Sequence, residues 1–265
     1  MSAPAQSQPK PQPLARPALH ISGLRYRWPG AAADTLQIDD LQLAAGQTVF
    51  LRGPSGCGKS TLLSLAAGVM LAQAGQVRLL GQDWAALRPG ARDRFRADHL
   101  GYIFQQFNLL PYLSAIDNVR RALRFSARRA ARAGLDRLDP PDGHSAAGQL
   151  LARSGLPRAL WAQPAGQLSV GQQQRVAAAR ALIGAPEVVI ADEPTSALDD
   201  DLRQAFMALL LQSCHDAGSA LLFVSHDLRL AERFDRVINL PDINRALIHP
   251  ATTPATTPPV IEPAA

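Results

Sequence analysis

The residues best suited to chemistry in this chain are Gly53-Pro54-Ser55-Gly56-Cys57-Gly58-Lys59-Ser60-Thr61, a glycine followed after four residues by Gly-Lys-Ser. Glycines let a backbone turn tightly around an anion, and the free amides of the helix that follows point at it with the helix dipole behind them. In such a loop Lys59 sits against the outer phosphates of a nucleotide and the Ser60 hydroxyl faces a magnesium ion. Lysine occurs only at Lys10 and Lys59, so arginine serves almost everywhere else as the base. A compact ammonium fits between phosphates where a planar guanidinium does not, which gives Lys59 a physical reason.

Two further clusters suit the same chemistry. Val188-Val189-Ile190-Ala191 reads as a buried strand that delivers Asp192 and Glu193 at its carboxyl end, and Ala220 to Val224, read as the final strand, ends at Ser225-His226-Asp227. Carboxylates at the carboxyl ends of strands, where open α/β sheets bind ligands, are costly unless a metal ion or a reacting water uses them. Ser169, before a helix running through Ala177 to Ile183, is placed as an N-cap whose neighbouring amides form a second anion site. Phosphate loop, acidic pair and His226 together form a nucleotide triphosphatase constellation.

The elements that must position these groups follow from the apolar pattern. Thr48 to Leu51 is a short buried strand, and Leu62, Leu63 and Leu65 begin the apolar face of a helix over 60–69. Apolar segments around Ile21 and Leu24 and over Leu36 to Leu43 flank a Pro29-Gly30 turn and predict antiparallel strands. Trp28 beside that turn either packs locally or stacks on a purine. Gln76 to Leu80 and Leu100 to Phe104 read as strands around a polar, helical stretch from Asp83 to Asp98, and Gln105 follows the second directly. A helix over Asp200 to His215 enters from a turn at Ser196 to Asp199. Alternating strands and helices give an α/β fold with a parallel sheet and every polar cluster at one end of it.

Seven arginines between Arg120 and Arg137 lie among alanines and leucines, either as a solvated helix face or as a contact for anionic headgroups or an acidic loop, before Asp139-Pro140-Pro141-Asp142-Gly143 breaks the helix. Residues 1–17 and 247–265 are Pro-, Ala- and Thr-rich tails expected to be disordered around one folded unit at 18–246. Of 265 residues 47% are hydrophobic and 18% charged, the range of a globular core. The longest apolar stretch, Thr61 to Ala72, is too short to cross a bilayer, and no leader of signal-peptide length precedes it, so a cytosolic protein is expected. Cys57 and Cys214 make no ligand-spaced pair, and Cys57 is either inert or a reactive thiol beside the phosphate amides. The net charge of +5 is compatible with nucleic acid, phosphorylated ligands or an anionic membrane.

In order and spacing, the loop at 53–61, Gln105, Leu168 to Gln172, Asp192-Glu193, the turn at 196–199 and His226 resemble the ATP-binding subunit of an ABC transporter over nearly all of 19–246. Gly101 to Val119 resembles the lipoprotein-releasing, macrolide-exporting and heterocyst-exporter branch. The resemblance implies a P-loop NTPase core, an N-terminal antiparallel β subdomain and a helical subdomain at about 106–170, with ATP and Mg2+ as cofactors. It implies adenine stacking by Trp28, with Tyr26 as a weaker candidate, and magnesium binding by Ser60, Gln105 and Asp192. It makes Glu193 the catalytic base, with His226 at the γ-phosphate and Gln105 on the attacking water. Ser169, Gly171 and Gln172 of one copy would close over ATP held by the loop of a second, giving a homodimer on a membrane permease subunit at the cytoplasmic face, with no nucleic acid partner expected. Val170 stands where glycine is usual and is tolerable if it points away from nucleotide. An ABC-type ATPase acting on nucleic acid or ribosomes, or a P-loop kinase, would share the phosphate loop; the kinase leaves Leu168 to Gln172 without a purpose.

Overall fold

The computed structural model describes residues 16–134, 145–196 and 198–248. Most of the two predicted tails, the Asp139–Gly143 break, Arg137 and Ala197 lie outside these residues.

Two sheets carry the fold. Strands β1 (Leu19–Tyr26), β2 (Leu36–Leu43), β4 (Ala74–Leu79) and β5 (Gln82–Asp83) form an antiparallel sheet in the order β2-β1-β4-β5. Strands β3 (Thr48–Arg52), β6 (Leu100–Ile103), β7 (Val188–Asp192), β8 (Ala220–Val224) and β9 (Arg236–Asn239) form a parallel sheet in the order β6-β7-β8-β3-β9. The helices are α1 (Lys59–Ala66), α2 (Pro89–His99), α3 (Ala115–Arg121), α4 (Ala127–Arg132), α5 (Ala146–Arg153), α6 (Val170–Leu182), α7 (Asp200–Ala217), α8 (Leu240–Ile243) and α9 (Arg245–Ile248).

The two sheets differ as their sequences require. β3, β7 and β8 are near-continuous apolar runs because both faces of a parallel sheet are covered. β1 alternates, but its buried positions change parity from Leu19 and Ile21 to Leu24 and Tyr26. The ladder to β4 shifts between Ser22 and Arg25, and Gly23 takes φ +58 at that irregularity. A side chain on the facing Gly75 would come within 2.2 Å of the Gly23 carbonyl oxygen, so the bulge depends on a glycine there. Both halves of β1 thereby bury their apolar residues.

One apolar cluster lies between the antiparallel sheet, α1 and one face of the parallel sheet, and a second covers the opposite face with α6 and α7. A third joins α3, α5 and α6, from Ala115 to Ile183.

Several expectations need correction. Ala220–Val224 is not the last strand, because the chain returns to pair β9 against β3; the short segment Arg-Val-Ile-Asn is too polar to stand out by periodicity. The helix after the phosphate loop ends at Ala66, and its 67–69 extension is a turn in which Gly68 takes φ +64 beneath the Trp84 ring. The arginine-rich stretch is not one helix: α3 gives way to a 3-10 turn at Ala122–Phe125, and Ser126 caps α4. Arg129 is not on a solvated face either. It is 4% exposed and donates to the carbonyls of Ile183 and Ala181, each at 2.7 Å, at the end of α6. Its neighbours Arg128 and Arg132 bond Glu187 at 2.8 and 2.7 Å. A helix surface and an arginine staple have the same composition, so only packing separates them.

Candidate functional site

The carboxyl ends of β3, β6, β7 and β8 are neighbours in one parallel sheet, so the residues after each strand are delivered to one edge. After β3, Gly56 and Gly58 take φ +79 and +100, and α1 begins with no side-chain cap on its amides. A side chain at Gly58 would come within 2.8 Å of Leu36, and one at Gly53 within 2.6 Å of Cys57 Sγ. Cys57 is itself buried in the core cluster, which favours the inert reading of its thiol. Lys59 Nζ folds back to donate to the carbonyls of Gly53 and Pro54 at 2.9 and 3.0 Å. The ammonium is thus held over the cradle, and Ser60 beside it is exposed.

Burial raises the pKa of Asp192 at the end of β7, and the charge of Glu193 raises it further while Lys59 opposes them. A carboxylate held in that state gains from a cation. Among the described residues no three His, Cys, Asp or Glu side chains gather as a metal cage. One carboxylate beside a hydroxyl and a carboxamide suits magnesium, which keeps waters and binds the phosphates of its substrate. Glu193 follows with φ +44, a conformation that costs a non-glycine residue about 1–3 kcal/mol and persists only where its surroundings hold it. Its amide donates to the Val224 carbonyl at 3.0 Å, and the carboxylate lies 3.5 Å from His226 Nδ1.

Residues without an assigned role hold this pair. Gln174, fully buried on α6, donates its carboxamide to the Pro194 carbonyl. Asp227, next to His226, accepts from Arg229 at 2.8 Å and pairs with Arg203 at 3.3 Å; the Arg229 hydrogen bond is the main reason its pKa is lowered. The signal in the sequence was the glutamine run after the Ser169 cap, whose members divide their work. Gln172 accepts from the Ser169 amide at 2.9 Å, Gln173 donates to the Leu168 carbonyl at 2.9 Å, and Gln174 reaches the strained turn.

Gln105 is exposed in a turn after β6, which pairs with β7. The phosphate loop, Asp192, Glu193, His226 and Gln105 therefore share one edge. Ser169, Gly171 and Gln172 start α6, which packs on α3, α5, α7 and β6, whereas α1 packs on β4 and β7. Ser169 forms a capping box with Gln172, and Val170 is 48% exposed, so it displaces no core. Gly171 faces α7, where a side chain would come within 3.3 Å of Leu202. Trp28 lies beside a cavity of about 470 Å3 that Arg25, Arg27 and Gln73 also line. Tyr26 is buried and meets Trp28 edge-on at 5.5 Å, which leaves Trp28 as the ring free to stack.

A protein-family model described as ABC transporter matches residues 36–196. The chain is 41% identical over 233 residues to the lipoprotein-releasing system ATP-binding protein LolD of Anaeromyxobacter dehalogenans, covering 87% of this chain and 93% of that one. It is 37% identical to the macrolide export ATP-binding/permease protein MacB of Photorhabdus laumondii, where 84% of this chain spans 33% of the longer protein. Among solved structures, the dimeric post-hydrolysis ATP-binding cassette MJ0796 bound to ADP and Pi superposes with a TM-score of 0.75 at 30% identity, over 83% of this chain and 93% of that one. The chain therefore belongs to the ABC transporter family as an ATP-binding, ATP-hydrolysing cassette, similar to lipoprotein-releasing and macrolide-export relatives.

Proposed function

We propose that two copies of this chain join head to tail at the cytoplasmic face of a membrane, bury two ATP molecules between them, and drive a separate permease subunit as the ATP is cleaved. In this reading residues Gly53 to Thr61 of one copy bind the phosphates, and Ser169 and Gly171 of the other close over them, with Gln172 holding the Ser169 backbone in place. The observation that carries it is the Glu193–His226 contact of 3.5 Å at the sheet edge that also bears Lys59 and Asp192. The solved cassette dimer with ADP and Pi supports the pairing, and the relative that joins ATP-binding and permease parts in one protein supports the membrane partner.

The roles follow from placement. Trp28 stacks on adenine. Lys59 exchanges its two carbonyl acceptors for outer phosphates, an exchange that keeps the ammonium solvated by oxygen throughout. Ser60, Asp192 and Gln105 would hold magnesium, which when bound supplies positive charge against the triphosphate. Glu193 takes the proton of the attacking water, which Gln105 helps to place, and His226 orients Glu193 and contacts the γ-phosphate. Positioning and charge neutralisation do most of the work in phosphoryl transfer.

Glu193→Gln tests this reading. Loss of the general base should lower turnover by about 100-fold or more while ATP binding persists. The variant should elute from gel filtration as a dimer with ATP. A monomer that still hydrolyses ATP would remove Glu193 from the role.

A further inference from the structure

The turn that carries Gln105 is strained, and its clamp comes from another element. The Phe107 amide donates to the Phe104 carbonyl at 3.0 Å, closing a turn with Gln105 and Gln106 at its centre. Phe107 and Asn108 then both take left-handed backbone, with φ +60 and +48. Asparagine tolerates that region, but a buried phenylalanine enters it only where something holds it there. Arg180, in the last turn of α6, donates to both strained residues, to the Asn108 carbonyl at 2.6 Å and the Phe107 carbonyl at 2.5 Å. Its guanidinium is half-buried and forms no ion pair among the described residues, so these carbonyls compensate its desolvation, which lowers its pKa. A planar fork holds two adjacent carbonyls in one fixed geometry, whereas the donors of an ammonium rotate freely.

The other end of α6 begins at the Ser169 cap. One unbroken helix therefore joins the group assigned to the partner copy's nucleotide with the clamp on the group assigned to this copy's own. We propose that Arg180 is a positioning residue for Gln105: it holds the 104–108 turn in the form that presents the carboxamide to the site and ties that form to the placement of α6. This rests on the role of Gln105 at the magnesium ion and the attacking water.

A double-mutant cycle on the full chain tests it, with Mg-ATP hydrolysis and nucleotide affinity measured in parallel. Arg180→Met should lower kcat by about 10- to 100-fold, the scale of a misplaced group, with the ATP dissociation constant within about two-fold of the parent. It should also raise the magnesium concentration needed for half-maximal turnover. In a Gln105→Ala background Arg180→Met should change kcat by less than about two-fold, because the group it positions is gone. Arg180→Lys, which keeps the charge but loses the planar fork, should fall between parent and methionine and can stand in the cycle if Arg180→Met does not fold. Independent, multiplying effects of the two substitutions would overturn the proposal while leaving Gln105 its role. A Gln105→Ala variant with parental kcat would overturn the role of Gln105 and the proposal with it.

Discussion

The two helix starts assigned to nucleotide in the proposed dimer are built in opposite ways. α1 opens after two glycines in left-handed backbone, with no side-chain cap. α6 opens with a complete capping box, in which Ser169 and Gln172 satisfy each other's backbone amides. The first start leaves its amides free and brings its own lysine, so it can bind phosphate without help. The second has spent part of its hydrogen-bonding capacity on itself and packs on α3, α5, α7 and β6, whereas α1 packs on strands β4 and β7. It is preorganised rather than open. In the proposed dimer, the first start would bind phosphate within one copy, and the second would meet nucleotide brought to it by the other.

The largest expected effect separates the first start from the second. Lys59→Arg keeps the charge but replaces a thin ammonium with a planar fork in a cradle where Gly53 and Gly58 already leave no room for a methyl group. Nucleotide affinity measured by calorimetry should fall at least about ten-fold, and hydrolysis with it. Parental affinity would show that the lysine is not the phosphate ligand. Ser169→Ala should act differently. ATP binding to the single copy should be unchanged, ATP-dependent dimerisation and turnover should drop, and urea melts should show about 0.5–2 kcal/mol less stability from the lost cap. A weakened affinity in the monomer would break the contrast between the two starts.

Trp28→Ala comes next, with a loss of about 1–3 kcal/mol in nucleotide binding, the scale of one base stacked on an aromatic ring. An unchanged dissociation constant would remove the ring from the site. The smallest effect concerns the root of α6. Glu187 bonds Arg128, Arg132 and His99, and these hydrogen bonds outweigh its desolvation and hold its pKa at about 2 against 4.5. A depressed carboxylate pKa adds stability that is present above 4.5 and is lost as pH falls toward 2. Glu187→Gln should therefore melt earlier at neutral pH and show a shallower loss of stability across that acid range, with little change in nucleotide affinity. An identical pH profile would mean that the cluster contributes nothing to anchoring α4.

Motifs with backbone geometry written into their residue types were legible. The loop at 53–61 needs glycines where φ is positive, the Ser169 cap needs a hydroxyl before a helix, and the buried strand before Asp192 is apolar throughout. Arg129, Arg180 and Gln174 were not legible in role, because their partners are carbonyls of residues chosen by the fold and not by the local pattern. A backbone carbonyl is the same group under every side chain, so nothing in the one-dimensional text marks which of them will be reached.

The chain of amino acids by itself therefore determined the α/β alternation, the phosphate cradle, the carboxylates at strand ends and the capped helix, since each depends on neighbours a few positions away. Only the tertiary structure decided that β9 closes the parallel sheet beside β3, that Tyr26 is buried and Trp28 is not, and that an arginine-rich stretch turns inward to staple α6. Those outcomes depend on which surfaces meet, and that is settled by the burial of whole faces and the pairing of every buried polar group across long separations in sequence.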